Sequence, residues 1–128
     1  MRLSLLCIVL LLVGSSWQAG ARRPRQAQVQ VELLRQHAAS TSDPARQLYE
    51  FEVRCSNLGS QAVAVSNNQF FVLDDQGARH GIERARYADR QLLEPGKSVV
   101  FTKIYIGLPR DRKPLELHLL NYGSCRLK

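Results

Sequence analysis

A chain of 128 residues has room for one domain and not for several. It contains 18 Lys and Arg against 11 Asp and Glu, a formal net charge of +7, and 45% of its residues are hydrophobic. This basic balance favours anionic partners in general, such as cell-surface polymers, lipid headgroups, nucleic acid or acidic proteins, and does not choose among them.

The first 21 residues have the pattern of a signal peptide. Arg2 supplies positive charge, residues 3–13 form an apolar run, and residues 19–21 are Ala-Gly-Ala, a small-x-small cleavage site. The alternative, a retained membrane anchor, needs roughly 20 apolar residues, and this run is well short of that length. We therefore predict that residues 1–21 are removed, that the protein is secreted or periplasmic, and that no membrane span remains.

Two cysteines remain after this cleavage, Cys55 and Cys125, because Cys7 lies within the signal peptide. An even count in an exported chain favours a disulfide. The two are 70 positions apart, and closing a loop of that size stabilises a fold by roughly 4 kcal/mol in the chain-entropy model. The alternative is a pair of free thiols.

The N-terminal half begins with a basic arm at residues 22–27. Residues 28–34 then alternate polar and apolar side chains, which is the period-two pattern of a half-buried strand, and a helix over this stretch is a weaker competitor. Residues 37–46 are rich in turn formers and predict a loop. Residues 48–55 have the clearest alternation in the chain and predict an antiparallel strand with one solvated face.

Turn chemistry follows that strand at residues 57–60, where Asn and Gly tolerate a positive φ. Residues 62–65 and 69–73 predict two further strands. A tight turn over residues 74–77 then allows residues 78–82 to return as a hairpin partner.

The C-terminal half starts with a polar segment at residues 83–94, for which a long loop is favoured over a short helical turn. Residues 98–106 predict a strand that is apolar on both faces of its second half, which favours a central position in its sheet. Residues 108–114 are a charged loop bounded by prolines, and residues 115–120 predict the last strand. Cys125 is in phase with the apolar side of that strand, as Cys55 is in its own, which supports the disulfide.

Six or seven short strands with regularly spaced turns and no long helix predict an all-β fold, an antiparallel sandwich. Four turn and core patterns within it together resemble a family. They are an Asn-x-Gly turn, a Phe-x-Leu-x-Asp segment followed by Gly, a Leu-x-Pro-Gly-x-x-Val turn and a Leu-Pro-x-Asp loop: Asn57, Gly59; Phe71, Leu73, Asp75, Gly77; Leu93, Pro95, Gly96, Val99; Leu108, Pro109, Asp111. This series resembles the secreted immunoglobulin-like domains of unknown function in bacterial lipoproteins and exported proteins, grouped with the immunoprotective extracellular protein.

The resemblance covers about residues 28–120 and implies a single immunoglobulin-like β-sandwich, over residues 28–128, outside the cytoplasm. It implies no catalytic residues, because the family has no agreed active site. The chain differs from common members by lacking an acylated cysteine at the mature N-terminus and by having the pair Cys55 and Cys125. Membrane tethering is therefore not expected. A related module of small extracellular proteinase inhibitors and envelope accessory domains is similar to almost the same degree.

The residues predict no enzyme, metal site or cofactor. His37, His80 and His118 are scattered, without a second His or Cys at ligand spacing. Asp74 and Asp75 lack the spaced oxygen ligands of a calcium loop, so a turn is favoured. No serine or cysteine lies in a pattern typical of a nucleophile.

Arginine-rich loops provide the functional prediction, since loops on a rigid scaffold commonly bind partners. We predict a non-catalytic module that recognises a protein or an anionic envelope component, but no specific nucleic acid, because only Tyr87 could stack a base among these arginines. Ordinary solvated charge is the alternative for the loops. Alternative functions are a small proteinase inhibitor acting through residues 108–114 and a structural accessory subunit of an envelope complex. The predicted binding residues are Arg79, Arg84, Arg86, Arg90, Arg110, Arg112 and Lys113.

Overall fold

The computed structural model describes residues 28–83 and 89–128, so the predicted signal peptide and basic arm lie outside the described residues. The described chain is all-β, with a single 3-10 turn at Asn67–Gln69. Its strands are β1 (Val29–Ala39), β2 (Arg46–Asn57), β3 (Val63–Ser66), β4 (Phe70–Asp74), β5 (Arg79–Gly81), β6 (Arg90–Leu93), β7 (Ser98–Pro109), β8 (Pro114–Leu119) and β9 (Gly123–Arg126).

The strands form three antiparallel sheets, in the orders β1-β2-β7, β3-β6 and β5-β4-β8-β9. All three sheets contribute to one hydrophobic core. Phe70 of β4 and Phe101 of β7 meet edge to face in that core, with ring centroids 5.5 Å apart and an interplanar angle of 72°. Such a pair adds to the hydrophobic burial that holds two sheets together.

Strand β2 has the alternation that its sequence predicts. Phe51, Val53, Cys55 and Asn57 are buried, whereas the residues between them are partly exposed. The predicted strand at residues 48–55 is confirmed, and it extends by two residues at each end.

The predicted central position of residues 98–106 is wrong, because β2 lies between β1 and β7. A β-bulge in β7 produces the sequence pattern that misled this prediction. Opposite Phe51 and Val53 of β2, the paired residues in β7 are Ile104 and Phe101, so β7 has one extra residue at this level. Phe101 and Ile104 therefore both face the core while Thr102 and Lys103 are exposed, which gives an edge strand the two-sided apolar pattern of a central one.

The described residues form nine strands, where the sequence predicted six or seven. The additional strands are β6, which lies in the predicted loop at residues 83–94, and β9, which lies beyond the last predicted strand. Each has only four residues and an incomplete apolar alternation. They are strands because they pair with β3 and β8. Strand β1 also continues to Ala39, past a bulge between Leu33 and Arg35 that interrupts its pattern.

Asn57 is a buried amide at the end of β2. Its Nδ2 donates to the carbonyls of Gln61 at 2.8 Å and Leu93 at 2.9 Å, and its Oδ1 accepts from the Gly59 amide at 2.9 Å. Its carbonyl also accepts from the Gly96 amide at 2.8 Å. One side chain therefore joins the Asn-x-Gly turn to the Leu-x-Pro-Gly turn of the family pattern.

Both cysteines lie beside β1, Cys55 in β2 and Cys125 in β9. Cys55 is paired with Val31, and the Cys125 sulfur lies against the backbone of Leu33. Burial, with a smaller contribution from nearby Cys125, raises the pKa of the Cys55 thiol to about 12. Both are free thiols in the structure, and the disulfide between them stays a prediction.

The disulfide can be tested by alkylating the denatured protein with and without reductant. We expect no labelled cysteine without reductant and labelling of both Cys55 and Cys125 after reduction, because a cystine does not react with the reagent. Mass spectrometry counts the labels. Two labels in the absence of reductant would contradict the prediction.

Replacing Asn57 with Ala should lower the free energy of unfolding by about 3 kcal/mol, because it removes hydrogen bonds from one buried and two part-buried backbone groups, and a buried group costs roughly 1–3 kcal/mol when unpaired. Urea denaturation measures this difference. Asn68→Ala is the matched control, since Asn68 is exposed, and it should change stability by less than about 0.5 kcal/mol. Equal effects of the two variants would argue against the proposed constraint.

Candidate functional site

The structure brings part of the two predicted basic clusters together at one end of the four-stranded sheet. Arg79 and His80 lie in β5, and Arg112 and Lys113 precede β8. The turn after β4 joins them, because the Asp75 amide donates to the Lys113 carbonyl at 2.9 Å and the Lys113 amide donates to Asp75 Oδ1 at 3.0 Å. Residues 79–80 and 112–113, which are more than thirty positions apart in sequence, thus lie beside the same turn.

Asp74 lies at the centre of this arrangement, with a fully buried side chain. Its Oδ2 accepts hydrogen bonds from His80 Nε2 and from an Arg112 guanidinium nitrogen, both at 2.8 Å. Its Oδ1 accepts from the amides of Gln76 at 2.8 Å and Ala78 at 2.9 Å. The carboxylate therefore closes the β4–β5 turn and holds the segment before β8 against it.

These contacts stabilise the ionised form of Asp74. The hydrogen bond from His80 is the largest cause that holds the pKa of Asp74 well below its ordinary value. Burial opposes it, but the amides of Ala78 and Gln76, and then Arg112, act in the same direction as His80. Arg112 is thus paired with a buried carboxylate, and its side chain is only 27% exposed.

Arg79 belongs to a stack on the outer face of the same sheet. Its guanidinium carbon lies 3.9 Å from the centroid of the Phe71 ring, and that ring stacks on His118 with centroids 5.0 Å apart. His118 Nε2 lies 2.9 Å from a carboxylate oxygen of Glu116. The stack uses the cation–π and aromatic contacts expected between adjacent strands.

The other predicted binding residues lie elsewhere. Arg110 donates to the Pro44 carbonyl at 2.7 Å and to Gln47 Oε1 at 3.1 Å, which ties it to the loop before β2. Arg90 begins β6 opposite Ser66 and is exposed. Arg84 and Arg86 lie outside the described residues. The predicted residues therefore do not form one patch within the described part of the chain.

The distribution of charge along the chain is uneven. All 11 acidic residues lie within the described ranges, together with twelve of the 18 basic residues, so these ranges are close to neutral. The remaining basic residues are Arg2, Arg22, Arg23, Arg25, Arg84 and Arg86. The positive excess of the protein is therefore concentrated in residues 1–27, because Arg84 and Arg86 are directly flanked by Glu83 and Asp89.

Sequence reasoning missed the role of Asp74, because the family pattern points to the adjacent Asp75. The missed signal is strand phase, since Asp74 follows the buried Phe70 and Val72 at spacing two. Across residues 28–83 and 89–128, no three His, Cys, Asp or Glu residues are grouped so as to hold a metal ion. No helix in the same ranges is long and apolar enough to cross a membrane.

Comparisons with known proteins find no matching family model and no matching curated protein. Among solved structures, a crystal structure described as the "Putative ApaA Protein" from Bordetella pertussis aligns with 82% of this chain and 90% of its own. The two are 15% identical in sequence, with a TM-score of 0.41.

Acidification should test the role of Asp74. A carboxyl whose pKa is lowered in the folded state stabilises the protein above its unfolded pKa of about 4, and this contribution is lost as the pH falls toward the folded value. Asp74→Asn should therefore be clearly less stable than wild type at pH 7, and the difference should shrink as the pH approaches 2. Urea midpoints measured over this pH range give the result.

Asp111→Asn is the matched control, because Asp111 is an exposed carboxylate in the same segment. Its midpoint should follow that of wild type at every pH. A difference between Asp74→Asn and wild type that did not change with pH would overturn the assignment.

Proposed function

We propose that this protein is a non-catalytic secreted or periplasmic module that binds a protein or an anionic envelope component through its arginine-rich loops. The observation that supports it best is that the acidic neighbours of two loop arginines have other partners. Arg84 and Arg86 lie between two acidic residues, Glu83 and Asp89. The Glu83 carboxylate is paired with Arg46, and Asp89 Oδ1 accepts from Gln91. Arginines whose neighbouring carboxylates are engaged elsewhere attract anionic groups more strongly than arginines that are paired with them.

The residues on either side of segment 84–88 are attached to different parts of the fold. The Glu83 amide donates to the Tyr105 carbonyl of β7 at 2.7 Å, and the Glu83 carboxylate is paired with Arg46 of β2. On the other side, the Asp89 amide donates to Asn67 Oδ1 at 3.0 Å, just before β4. A rigid attachment at both ends reduces the conformational entropy that a binding loop loses when it engages a partner.

The order of the strands supports an immunoglobulin-like sandwich as the scaffold. β1, β2 and β7 form one sheet, β5, β4, β8 and β9 form another, and the chain passes between these sheets several times. Two antiparallel sheets of three and four strands with such connections are typical of that architecture.

The proteinase-inhibitor alternative has less support from the geometry. Residues 110–113 form a tight turn, with Arg110 bound to Pro44 and Arg112 bound to Asp74. An inhibitory loop must present an accessible segment to a protease cleft, and these arginines are engaged within the protein.

Replacing Arg84, Arg86 and Arg90 with Ala should weaken binding to heparin, used here as a soluble anionic polymer. At about 1 kcal/mol for each basic residue close to an anionic surface, the three substitutions should lower affinity roughly 100-fold. Fluorescence anisotropy with labelled heparin measures the dissociation constant, and binding should weaken further as salt is raised.

The matched control removes the same charge from Lys97, Arg126 and Lys128, which are exposed on other elements. We expect this variant to retain most of the affinity. An equal loss in the two triple variants would show that only net charge matters, and would contradict a localised binding loop.

A further inference from the structure

We propose a second binding site, for a small hydroxy-carboxylate, on the outer face of the β1-β2-β7 sheet. A surface cleft of about 280 Å³ opens there. It is lined by Arg35, His37, Glu50, Glu52, Thr102 and Lys103, which come from all three strands. None of these residues belongs to the arginine-rich loops, so this site is independent of the function proposed above.

Two β-bulges at the same level of the sheet create the cleft. In β1 an extra residue lies between Leu33 and Arg35, and in β7 an extra residue lies opposite Glu52 of the central strand. Each bulge turns its strand away from regular pairing, and bulges are common beside functional sites because they redirect side chains. Glu52 is thus flanked on both sides by displaced neighbours.

At the level of the bulges one pair of opposite charges on adjacent strands does not form an ion pair. The pairs on either side of it do. On one side of the bulges, Glu32 and Arg54 are paired in register and form an ion pair at 3.0 Å. On the other side, His37 and Glu50 are paired in register with 3.1 Å between nitrogen and oxygen.

Between these two rows, Arg35 lies opposite Glu52, yet neither residue forms an ion pair in the described part of the chain. Opposite charges facing each other across a sheet ordinarily attract. Their separation here leaves both groups available to a ligand that fits between them.

Lys103 brings a second cation to the cleft through an unusual backbone conformation. Its φ is +58°, in the left-handed region that disfavours residues with a Cβ. Backbone strain of this kind is concentrated at binding and active sites. Lys103 is exposed, and like Arg35 it has no carboxylate partner among the described residues.

The charges of the cleft specify the chemistry of its ligand. Arg35 and Lys103 offer donors and positive charge to a carboxylate, whereas Glu52 offers an acceptor to a hydroxyl group. The second carboxylate of the cleft, Glu50, is already engaged by His37 and Tyr105. A ligand with one carboxylate and a nearby hydroxyl can therefore pair its carboxylate with the two cations and donate a hydrogen bond from its hydroxyl to Glu52. The volume is slightly below the range of about 300–1,000 Å³ found for drug-sized ligands, which fits a monosaccharide acid.

Titration of the 15N-labelled protein with glucuronate, followed by NMR, tests the site. We expect saturable shifts at the amides of Arg35, Glu52 and Lys103. Acetate, which lacks hydroxyls, and glucose, which lacks the carboxylate, should each bind at least about tenfold more weakly, because each loses one set of contacts. Equal binding of all three probes, or shifts that do not saturate, would overturn the proposal.

Two variants remove the cations without disturbing the fold. Lys103→Gly suits the positive φ, and Arg35→Gln keeps a polar side chain of similar length. Each should weaken glucuronate binding at least about tenfold. Arg54→Gln is the matched control, since Arg54 lies one row away on the same face and is paired with Glu32. Its affinity should equal that of wild type, and a loss equal to that of Arg35→Gln would contradict the site.

Discussion

The buried amide of Asn57 is the constraint on which the arrangement of the sheets depends. It lies at the end of the central strand β2, where the chain leaves one sheet and the connection from β6 to β7 returns to it. A side chain with both donors and an acceptor is required there, because it bonds the Gly59 amide and the Gln61 carbonyl of one turn and the Leu93 carbonyl of another segment. An apolar residue would leave these buried and part-buried groups unpaired, and Asp would lose the two donated bonds. The Asn-x-Gly and Leu-x-Pro-Gly patterns of the sequence thus contain residues whose physical role is to join two turns.

Asp74 has a corresponding role in the four-stranded sheet. It also gives one of the predicted binding arginines, Arg112, a structural function. A fully buried carboxylate must be paired, and Arg112 and His80 provide that pairing. Arg110 is likewise bound to a backbone oxygen of the loop before β2 and to the side-chain oxygen of Gln47 in β2. Part of the basic sequence therefore stabilises the fold. This is why the binding proposal depends on Arg84 and Arg86 more than on Arg110 and Arg112.

Features that depend on local alternation of polar and apolar residues can be predicted from the sequence. Features that depend on which strands pair with each other cannot. Strand β2 is predicted well because its buried residues recur at spacing two without interruption. The alternation of β7 is reset by its bulge, so its place in the sheet is predicted wrongly, and the short strands β6 and β9 have too few residues to show a period. The cleft at Arg35, Glu52 and Lys103 cannot be predicted from the sequence for the same reason. It exists only where two strands with bulges lie on either side of a regular strand.

The edges of the three-stranded sheet restrict how a partner can bind. An open edge invites an added strand, but both edges here are partly covered. Beside β1, the side-chain Nε2 of Gln36 donates to the Lys128 carbonyl at 3.1 Å, and its Oε1 accepts from the Lys128 amide at 3.0 Å. Beside β7, Ile82 forms a bridge with Ile106, and the Glu83 amide binds the Tyr105 carbonyl. Strand addition is therefore hindered at β7, where these backbone groups are already paired, and at β1, where the Gln36 side chain holds the Lys128 backbone beside the strand.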